Sequence, residues 1–450
     1  MTEAALQQCL DKMDAAGVSR PAIDNFAHYW RLCASGATGV IAEATIRPLL
    51  DVPSLDAVDI SEADARAALQ RTVLIKLNGG LGTSMGLDRA KTLLEVRDGK
   101  SFLDLIVAQV QYARVAYSAR LPLLFMNSFR TRDDTLDYLS RYPELAVDGL
   151  PLDFLQSREP KILAGDLSPV SWPDDPSLEW CPPGHGDLYP SLLSSGVLDA
   201  LIEAGFRYAS VANGDNLGSG PDARLAGWFA STGAPYAAEL CPRTVNDRKG
   251  GHLAVRIADG QLILRDTAQT APEEMDFFTD EHRHPYFHTN NLWLDLVQLR
   301  DVLIERNGVL GLPLIRNEKT VDPSDPASPA VIQLESAMGA AIEVFAGATA
   351  IAVPRDRFLP VKTTNELLLL RSDVFDLGED GRLTATAAIP EISLGKRYKL
   401  VDDFDRLVPV VPSLRRAEAL VVDGEWTFDA PAEVIGRVEL PDTGQPEHYR

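Results

Sequence analysis

Apolar and polar positions change their rhythm near residue 70. Before it, apolar residues recur at helical spacing. Leu6, Leu10 and Met13 share one face, and Gly17 supplies a stop. Ser19 and Pro21 then open a second helix with Ile23, Phe26, Ala27 and Trp30 on one face. Ile46 to Pro53 reads as a proline-containing connector. Beyond residue 70, short continuous apolar runs alternate with helical stretches. Val73-Leu74-Ile75, Leu121 to Met126 and Tyr208 to Ala212 read as buried strands, and Phe102 to Tyr117 reads as a helix. This alternation predicts an α/β core with a mainly parallel sheet between helices. Asp322 to Pro329 reads as a surface loop. After Pro409 short apolar pieces are separated by turns: Val421-Val422, Trp426-Thr427-Phe428, Val434-Ile435 and Val438-Glu439-Leu440.

At 450 residues the chain is long enough for two or three units around a large core. Its formal net charge of -22 argues against nucleic-acid and anionic-membrane partners, which reward positive surfaces. A small anionic substrate remains compatible, because a local lysine cluster and a divalent cation offset the field within one cleft. Cys9, Cys33, Cys181 and Cys241 form no CxxC pair and no zinc-type spacing, so they read as buried thiols in a reducing compartment. The first residues lack a basic region before an apolar run, and no apolar stretch reaches membrane-spanning length. The expected location is the cytoplasm.

The candidate chemistry begins where the Val73-Leu74-Ile75 strand ends. Gly79, Gly80, Gly82 and Gly86 follow, and Lys91 lies just beyond. A glycine turn at a strand's end lets backbone N–H groups approach a polyanion, and the lysine adds positive charge there. Two familiar phosphate motifs fail. The dinucleotide fingerprint needs its third glycine at Met85, one residue before Gly86, and no Walker A string occurs. A second polar turn, Asn213-Gly214-Asp215, closes the Tyr208 to Ala212 strand. In α/β sheets ligands bind outside the carboxyl ends of strands, so one cleft can serve both turns. Taken alone, Asp215 reads as an Asx turn. Arg355 and Arg357 read equally well as phosphate contacts or as structural partners of acids.

Leu77-Asn78-Gly79-Gly80-Leu81-Gly82-Thr83-Ser84-Met85-Gly86 resembles the nucleotide-binding loop of eukaryotic-type UTP–glucose-1-phosphate uridylyltransferases. Met126-Asn127-Ser128-Phe129, Pro182-Pro183-Gly184-His185-Gly186-Asp187 and Asn213-Gly214-Asp215-Asn216-Leu217-Gly218 resemble the same family in its order. So do Thr289-Asn290-Asn291-Leu292-Trp293, Ile332-Gln333-Leu334-Glu335 and Phe358-Leu359-Pro360-Val361-Lys362-Thr363-Thr364.

The resemblance implies a glycosyltransferase-A-like nucleotidyltransferase core over residues 61–384. A helical piece over 1–60 and a short β-helix-like segment over 385–450 flank it. It implies transfer of the uridylyl group of UTP to glucose 1-phosphate, with Mg²⁺ and no protein nucleophile. Lys91 and Lys362 then serve as the catalytic cations. UTP falls to Leu77, Asn78, Gly79, Gly80, Lys91, Gln156, Gly184, Asp215 and Lys362. The sugar phosphate falls to Gly79, Gly80, His185, Asn213, Gly214, Asp215, Asn290, Asn291 and Glu335, and the metal to Asp215. His185 is expected as an anchor and not as a general base.

Uridylyl transfer to galactose 1-phosphate or an N-acetylhexosamine 1-phosphate is the nearest alternative. N-acetylhexosamine enzymes of this superfamily tend to carry Gln where Leu81 stands. A dinucleotide-dependent oxidoreductase is disfavoured by the glycine spacing, and a non-catalytic nucleotide-sugar sensor by the presence of Lys91, Asp215 and Lys362. The family's carboxyl-terminal β-helix builds oligomers. Here Pro431, Pro441 and the acids between Asp423 and Glu439 oppose strand pairing, which predicts a monomer or dimer.

Overall fold

A computed structural model describes residues 3–147, 149–244 and 247–450. Two compact units form, and both are interleaved along the chain. One takes the chain up to Ile75, Val147–Val211 and Asp222–Pro354. The other takes Lys76–Ala146, Ala212–Pro221 and Arg355–Arg450. The chain passes from one unit to the other inside the strands Thr72–Asn78 and Tyr208–Asn213.

In the first unit the amino-terminal helices Glu3–Ala15 and Arg20–Ala34 stand where the apolar spacing puts them. Leu6, Met13, Ile23, Phe26, Ala27 and Trp30 are buried. The Trp30 indole N–H donates to the Leu167 carbonyl at 3.0 Å, which satisfies the one polar atom of a buried ring. The segment read as a connector differs: Ile46–Pro48 is a short strand, antiparallel to His252–Arg256, with Ile46 opposite Arg256. Pro48 sits at its end, where the ring costs no ladder donor.

The sheet of this unit is mixed. Tyr286–Asp295 lies between Tyr208–Asn213 and Tyr236–Pro242 and is antiparallel to both, with Val211 opposite Leu292. Thr349–Ala352 runs parallel to Tyr236–Pro242, with Ala238 opposite Ala350. Of these strands the alternation read from the sequence marks only Tyr208 to Ala212, and it does not reveal the antiparallel Tyr286–Asp295, since direction is set by nonlocal pairing. Trp293, Leu292, Leu240 and Val211 fill its core.

In the second unit the helix Phe102–Tyr117 matches the expected span. Ser101 and Asp104 close its first turn as a capping box. The strand Leu123–Asn127 is wholly buried. Near the carboxyl end Glu391–Leu394, Ser413–Val422 and Glu433–Leu440 form a three-stranded parallel sheet. Leu414, Leu420, Val422 and Val434 are buried. The four cysteines are buried and free. Among the described residues no helix is long and apolar enough to cross a membrane.

Candidate functional site

The glycine loop and the Asp215 turn belong to the second unit and are bound to each other. Leu77 is half-buried, and its carbonyl accepts from the Gly214 N–H at 2.8 Å. Lys76, just before the loop, is buried. Its ammonium donates to the Ser219 carbonyl at 2.8 Å and hydroxyl at 2.7 Å. That bond anchors the far end of the Asp215 turn, and the lone lysine in an otherwise apolar strand was its only sequence signal. Asn78 is also buried. Its amide donates to Asn127 Oδ1 and Thr135 Oγ1, both at 2.8 Å, and its Oδ1 accepts from Thr92 Oγ1 at 2.7 Å. The side chain is therefore spent on the scaffold.

Gly79 is held by Ser128 Oγ, which donates to its carbonyl at 2.9 Å. Gly80 is exposed, with open space where a side chain would stand. Gly82 adopts φ +68°, and a Cβ there would lie 2.9 Å from Leu87 Cδ1 and 3.2 Å from Lys91 Cγ. The loop closes through Lys91 N–H to the Gly80 carbonyl at 3.1 Å. It leads into the 3-10 turns Thr83–Met85 and Lys91–Leu93 and not into an α-helix.

Lys91 is half-buried. Its ammonium contacts Asp215 Oδ2 at 2.7 Å and donates to the Val361 carbonyl. Asn216 then splints the segment that carries Lys362. Its Oδ1 accepts from Leu359 N–H at 2.8 Å and its Nδ2 donates to the Arg357 carbonyl at 3.2 Å. Asp215 O accepts from Val361 N–H at 3.2 Å, and Asn216 and Pro360 form an antiparallel bridge. Three short segments thus bring Gly79, Gly80, Lys91, Asp215 and Val361 together, with the exposed Lys362 next in line. Asn213 precedes them, and its carbonyl accepts from Asn216 N–H at 3.2 Å. Arg357 is buried and donates to the Gly220 carbonyl at 2.7 Å. Arg355 lies 5.4 Å from the Phe358 ring centroid.

A second constellation lies in the first unit. Gln156 is buried, and its Nε2 donates to the Gly184 carbonyl over a long 3.4 Å. Gly184 has φ +78°, and a Cβ there would lie 2.5 Å from the Ser336 carbonyl oxygen. Only glycine fits. Backbone bonds lock the loop to Ser336: its carbonyl accepts from Gly186 N–H at 2.8 Å, and its N–H donates to the Pro183 carbonyl at 3.1 Å. His185 Nδ1 accepts from Met338 N–H at 2.9 Å. That bond places the ring proton on Nε2, and burial holds the imidazole pKa below its usual value. The ring therefore presents an N–H at Nε2.

Below this loop Asp187 is buried. Its Oδ2 accepts from the Ser157 N–H at 2.6 Å and Ser191 Oγ at 2.7 Å, so it ties the residue after Gln156 to the His185 turn. Burial pushes its pKa up to about 6. Burial and then the Asp187 charge push the neighbouring Glu159 well above the carboxylate range. Asp187 stands in a quoted motif, but no local pattern marks an acid as buried. Glu335 is half-buried at the end of Ala330–Glu335 and accepts from Asn317 Nδ2 at 3.0 Å. Asn290 is half-buried. Asn291 is buried and donates from Nδ2 to Glu239 Oε2 at 3.1 Å. The two asparagines therefore differ in what they present.

Among the described residues no group of three or more His, Cys, Asp or Glu converges as a metal cage. A lone Asp215 carboxylate beside a glycine loop fits Mg²⁺, which binds through one or two carboxylates and substrate phosphates and keeps its waters.

The glycine loop and the Lys91–Asp215 pair stand together at the end of a strand, an arrangement suited to a phosphate group. The family model for UTP–glucose-1-phosphate uridylyltransferase matches residues 23–434. The curated enzyme of that name from Saccharomyces cerevisiae is 42% identical over 375 residues, which cover 82% of this chain and 74% of that one. The one from Solanum tuberosum is 38% identical over 384 residues, covering 84% and 78%. A solved UDP-glucose pyrophosphorylase variant from Leishmania major, in complex with UDP-glucose, superposes with a TM-score of 0.93. It is 42% identical, with 100% of this chain and 98% of that chain covered. The Trypanosoma brucei structure gives 0.92 at 41% identity, covering 99% and 97%. The chain belongs to the UTP–glucose-1-phosphate uridylyltransferase family.

Proposed function

We propose that this chain transfers the uridylyl group of UTP to glucose 1-phosphate. A phosphate oxygen of the sugar attacks the α-phosphorus in line. The new O–P bond forms as the bond to the β-phosphate oxygen breaks, and its electron pair leaves with pyrophosphate. No protein nucleophile takes part, so the residues act by positioning and by neutralising charge. The observation that carries this reading is the Lys91–Asp215 pair fixed beside the glycine loop, in a chain of this family.

The backbone of Leu77, Asn78, Gly79 and Gly80 cradles the nucleotide phosphates, and Lys91 and Lys362 offset their charge. Lys362 is exposed and has the freedom to follow charge as it moves to the leaving group. Asp215 would hold Mg²⁺, which would supply further positive charge to the phosphate oxygens. Gln156 and the Gly184 backbone read the uracil edge, and a pocket shaped to a pyrimidine excludes ATP and GTP by volume. The His185 Nε2–H anchors the sugar phosphate, with Gly79, Gly80, Asn213 and Gly214 supplying backbone contacts to it. Glu335 and Asn290 take sugar hydroxyls, and Asn291, engaged with Glu239, supports Asn290.

The division into a helical piece over 1–60, a glycosyltransferase-A-like core over 61–384 and a truncated β-helix over 385–450 belongs to the same proposal, as does cytoplasmic residence. The parallel sheet of the last segment supports it. Pyrophosphate release with UTP, Mg²⁺ and a panel of sugar 1-phosphates tests the function. Glucose 1-phosphate is expected to give the highest kcat/KM. A higher value with galactose 1-phosphate or an N-acetylhexosamine 1-phosphate would move the assignment to that sugar.

A further inference from the structure

Asn290 and Asn291 stand on a break in the sheet. Ala238 pairs with Leu292 and Leu240 with His288. Glu239 alone therefore faces Thr289, Asn290 and Asn291. A bulge of this kind deprives backbone groups of ladder partners. Side chains replace them here. Asn290 N–H donates to His288 Nδ1 at 3.0 Å, and Asn291 N–H to Thr289 Oγ1 at 3.2 Å. Thr289 Oγ1 in turn donates to the Glu239 carbonyl at 2.8 Å. Asn290 takes φ +60°, which asparagine tolerates better than most residues.

The Glu239 side chain fills the break. It is 0% exposed, and its carboxylate accepts from Asn291 Nδ2 at 3.1 Å and from Trp293 Nε1 at 2.9 Å, one on each oxygen. Both partner atoms can only donate. The residue facing them must accept at both positions, as an ionised carboxylate does and an amide does not. Charge-assisted bonds of this type are also the strong ones in a buried setting.

We infer that Glu239 is a positioning residue for sugar recognition: its buried carboxylate holds the Thr289–Asn291 bulge in the shape that presents Asn290 to the hexose hydroxyls. The inference rests on the reading of Asn290 as a sugar contact. Glu239→Gln keeps the volume but turns an amide NH₂ toward Asn291 or Trp293, donor against donor. The bulge then shifts while the uracil and phosphate groups stay in place.

The test uses the full chain and measures KM for glucose 1-phosphate and for UTP separately, with equilibrium binding of UDP-glucose as a second readout. Glu239→Gln is expected to raise KM for glucose 1-phosphate by about tenfold or more, the scale of a misplaced contact, and to change KM for UTP by less than about twofold. Discrimination between glucose 1-phosphate and galactose 1-phosphate falls with it. Asn290→Ala serves as the partner variant. If it leaves the sugar KM unchanged, the sugar reading of Asn290 fails and the inference falls with it. If it raises that KM while Glu239→Gln does not, the positioning role alone is overturned. A rise in both KM values for Glu239→Gln also overturns it, because that marks general damage. Should Glu239→Gln show no cooperative melt, Trp293→Phe removes one of the two donors and must produce the same sugar-selective rise; a silent Trp293→Phe then overturns the inference.

Discussion

Lys91 and Asp215 form a half-buried ion pair in a strongly acidic chain. Partly desolvated charges interact more strongly than surface pairs, and the removal of one leaves the other uncompensated. Asp215→Ala is expected to raise the Mg²⁺ concentration needed for activity while the circular dichroism spectrum stays unchanged. A metal titration superimposable on wild type would remove Asp215 from the metal site. Lys362 has no such anchoring role. Lys362→Ala is expected to lower kcat by about a hundredfold, the scale of losing one group that stabilises transition-state charge, with a smaller loss of UTP binding. Near-normal turnover would show that another cation does this work.

His284 lies outside the site and makes a pH prediction. It is fully buried, its ring stacks on His252 at 3.7 Å, and burial pushes its pKa down to about 4. Glu43 opposes that shift, while Arg243 and Arg283 reinforce it. The unfolded chain takes up this proton near pH 6.5 and the native chain does not, so the native state loses stability as pH falls from about 6.5 toward 4. The loss reaches roughly 3 kcal/mol at one kcal-scale step per pKa unit. His284→Phe removes this dependence. Denaturant melts at pH 7.5 and 4.5 should show the variant gaining on wild type at the lower pH, and a pH-independent difference would contradict the assignment.

At the scale of elements, the Gly184 turn is fixed by backbone geometry. Its φ is +78°, and Ser336 leaves no room for a Cβ. Gly184→Ala forces the loop off Ser336 and displaces both the Gln156 contact and His185. The expected result is a rise in KM for both UTP and glucose 1-phosphate with a stability loss of about 1–3 kcal/mol. Unchanged KM values would mean that the turn does not shape the site.

Much of this was legible in the sequence, for identifiable reasons. The glycine loop, the Asn213-Gly214-Asp215 turn and the Phe102–Tyr117 helix are written in local spacing and capping chemistry, and the structure places them accordingly. What stayed hidden depends on partners far along the chain. The Asn216 splint needs residues near 360, and the burial of Asp187 needs Ser157 and Ser191. The bulge at Thr289–Asn291 comes from a register shift against Tyr236–Pro242, and no periodicity within Tyr286–Asp295 encodes it. Ile46–Pro48 is a strand only because His252–Arg256 offers it an edge.

At the scale of the whole molecule, membership of the uridylyltransferase family fixes the reaction. The final segment covers part of the second unit. The Phe428 N–H donates to the Leu407 carbonyl at 2.7 Å, and Tyr398 donates its hydroxyl to the Trp426 carbonyl at 2.6 Å. Phe428, Leu420 and Val434 are buried, and each buried side chain contributes about 1.5–3 kcal/mol. Deleting the residues after Pro412 should therefore lower stability more than kcat/KM, because the site residues precede it. The edge strand Glu433–Leu440 exposes Ile435, while Glu433 pairs with Arg416 and Glu439 with Arg437. We propose a monomer or dimer. Light scattering that showed a stable octamer, dissociating on this deletion, would refute it.

The central claim is a direct transfer from UTP to glucose 1-phosphate without a covalent uridylyl-enzyme. A single-turnover reaction with α-labelled UTP, excess enzyme, Mg²⁺ and glucose 1-phosphate tests it most directly. The account predicts that the label passes from UTP to UDP-glucose in one phase, with one pyrophosphate released per product and none of the label on protein. Label retained on denatured protein, or labelled ATP transferring to the sugar as efficiently, would contradict it.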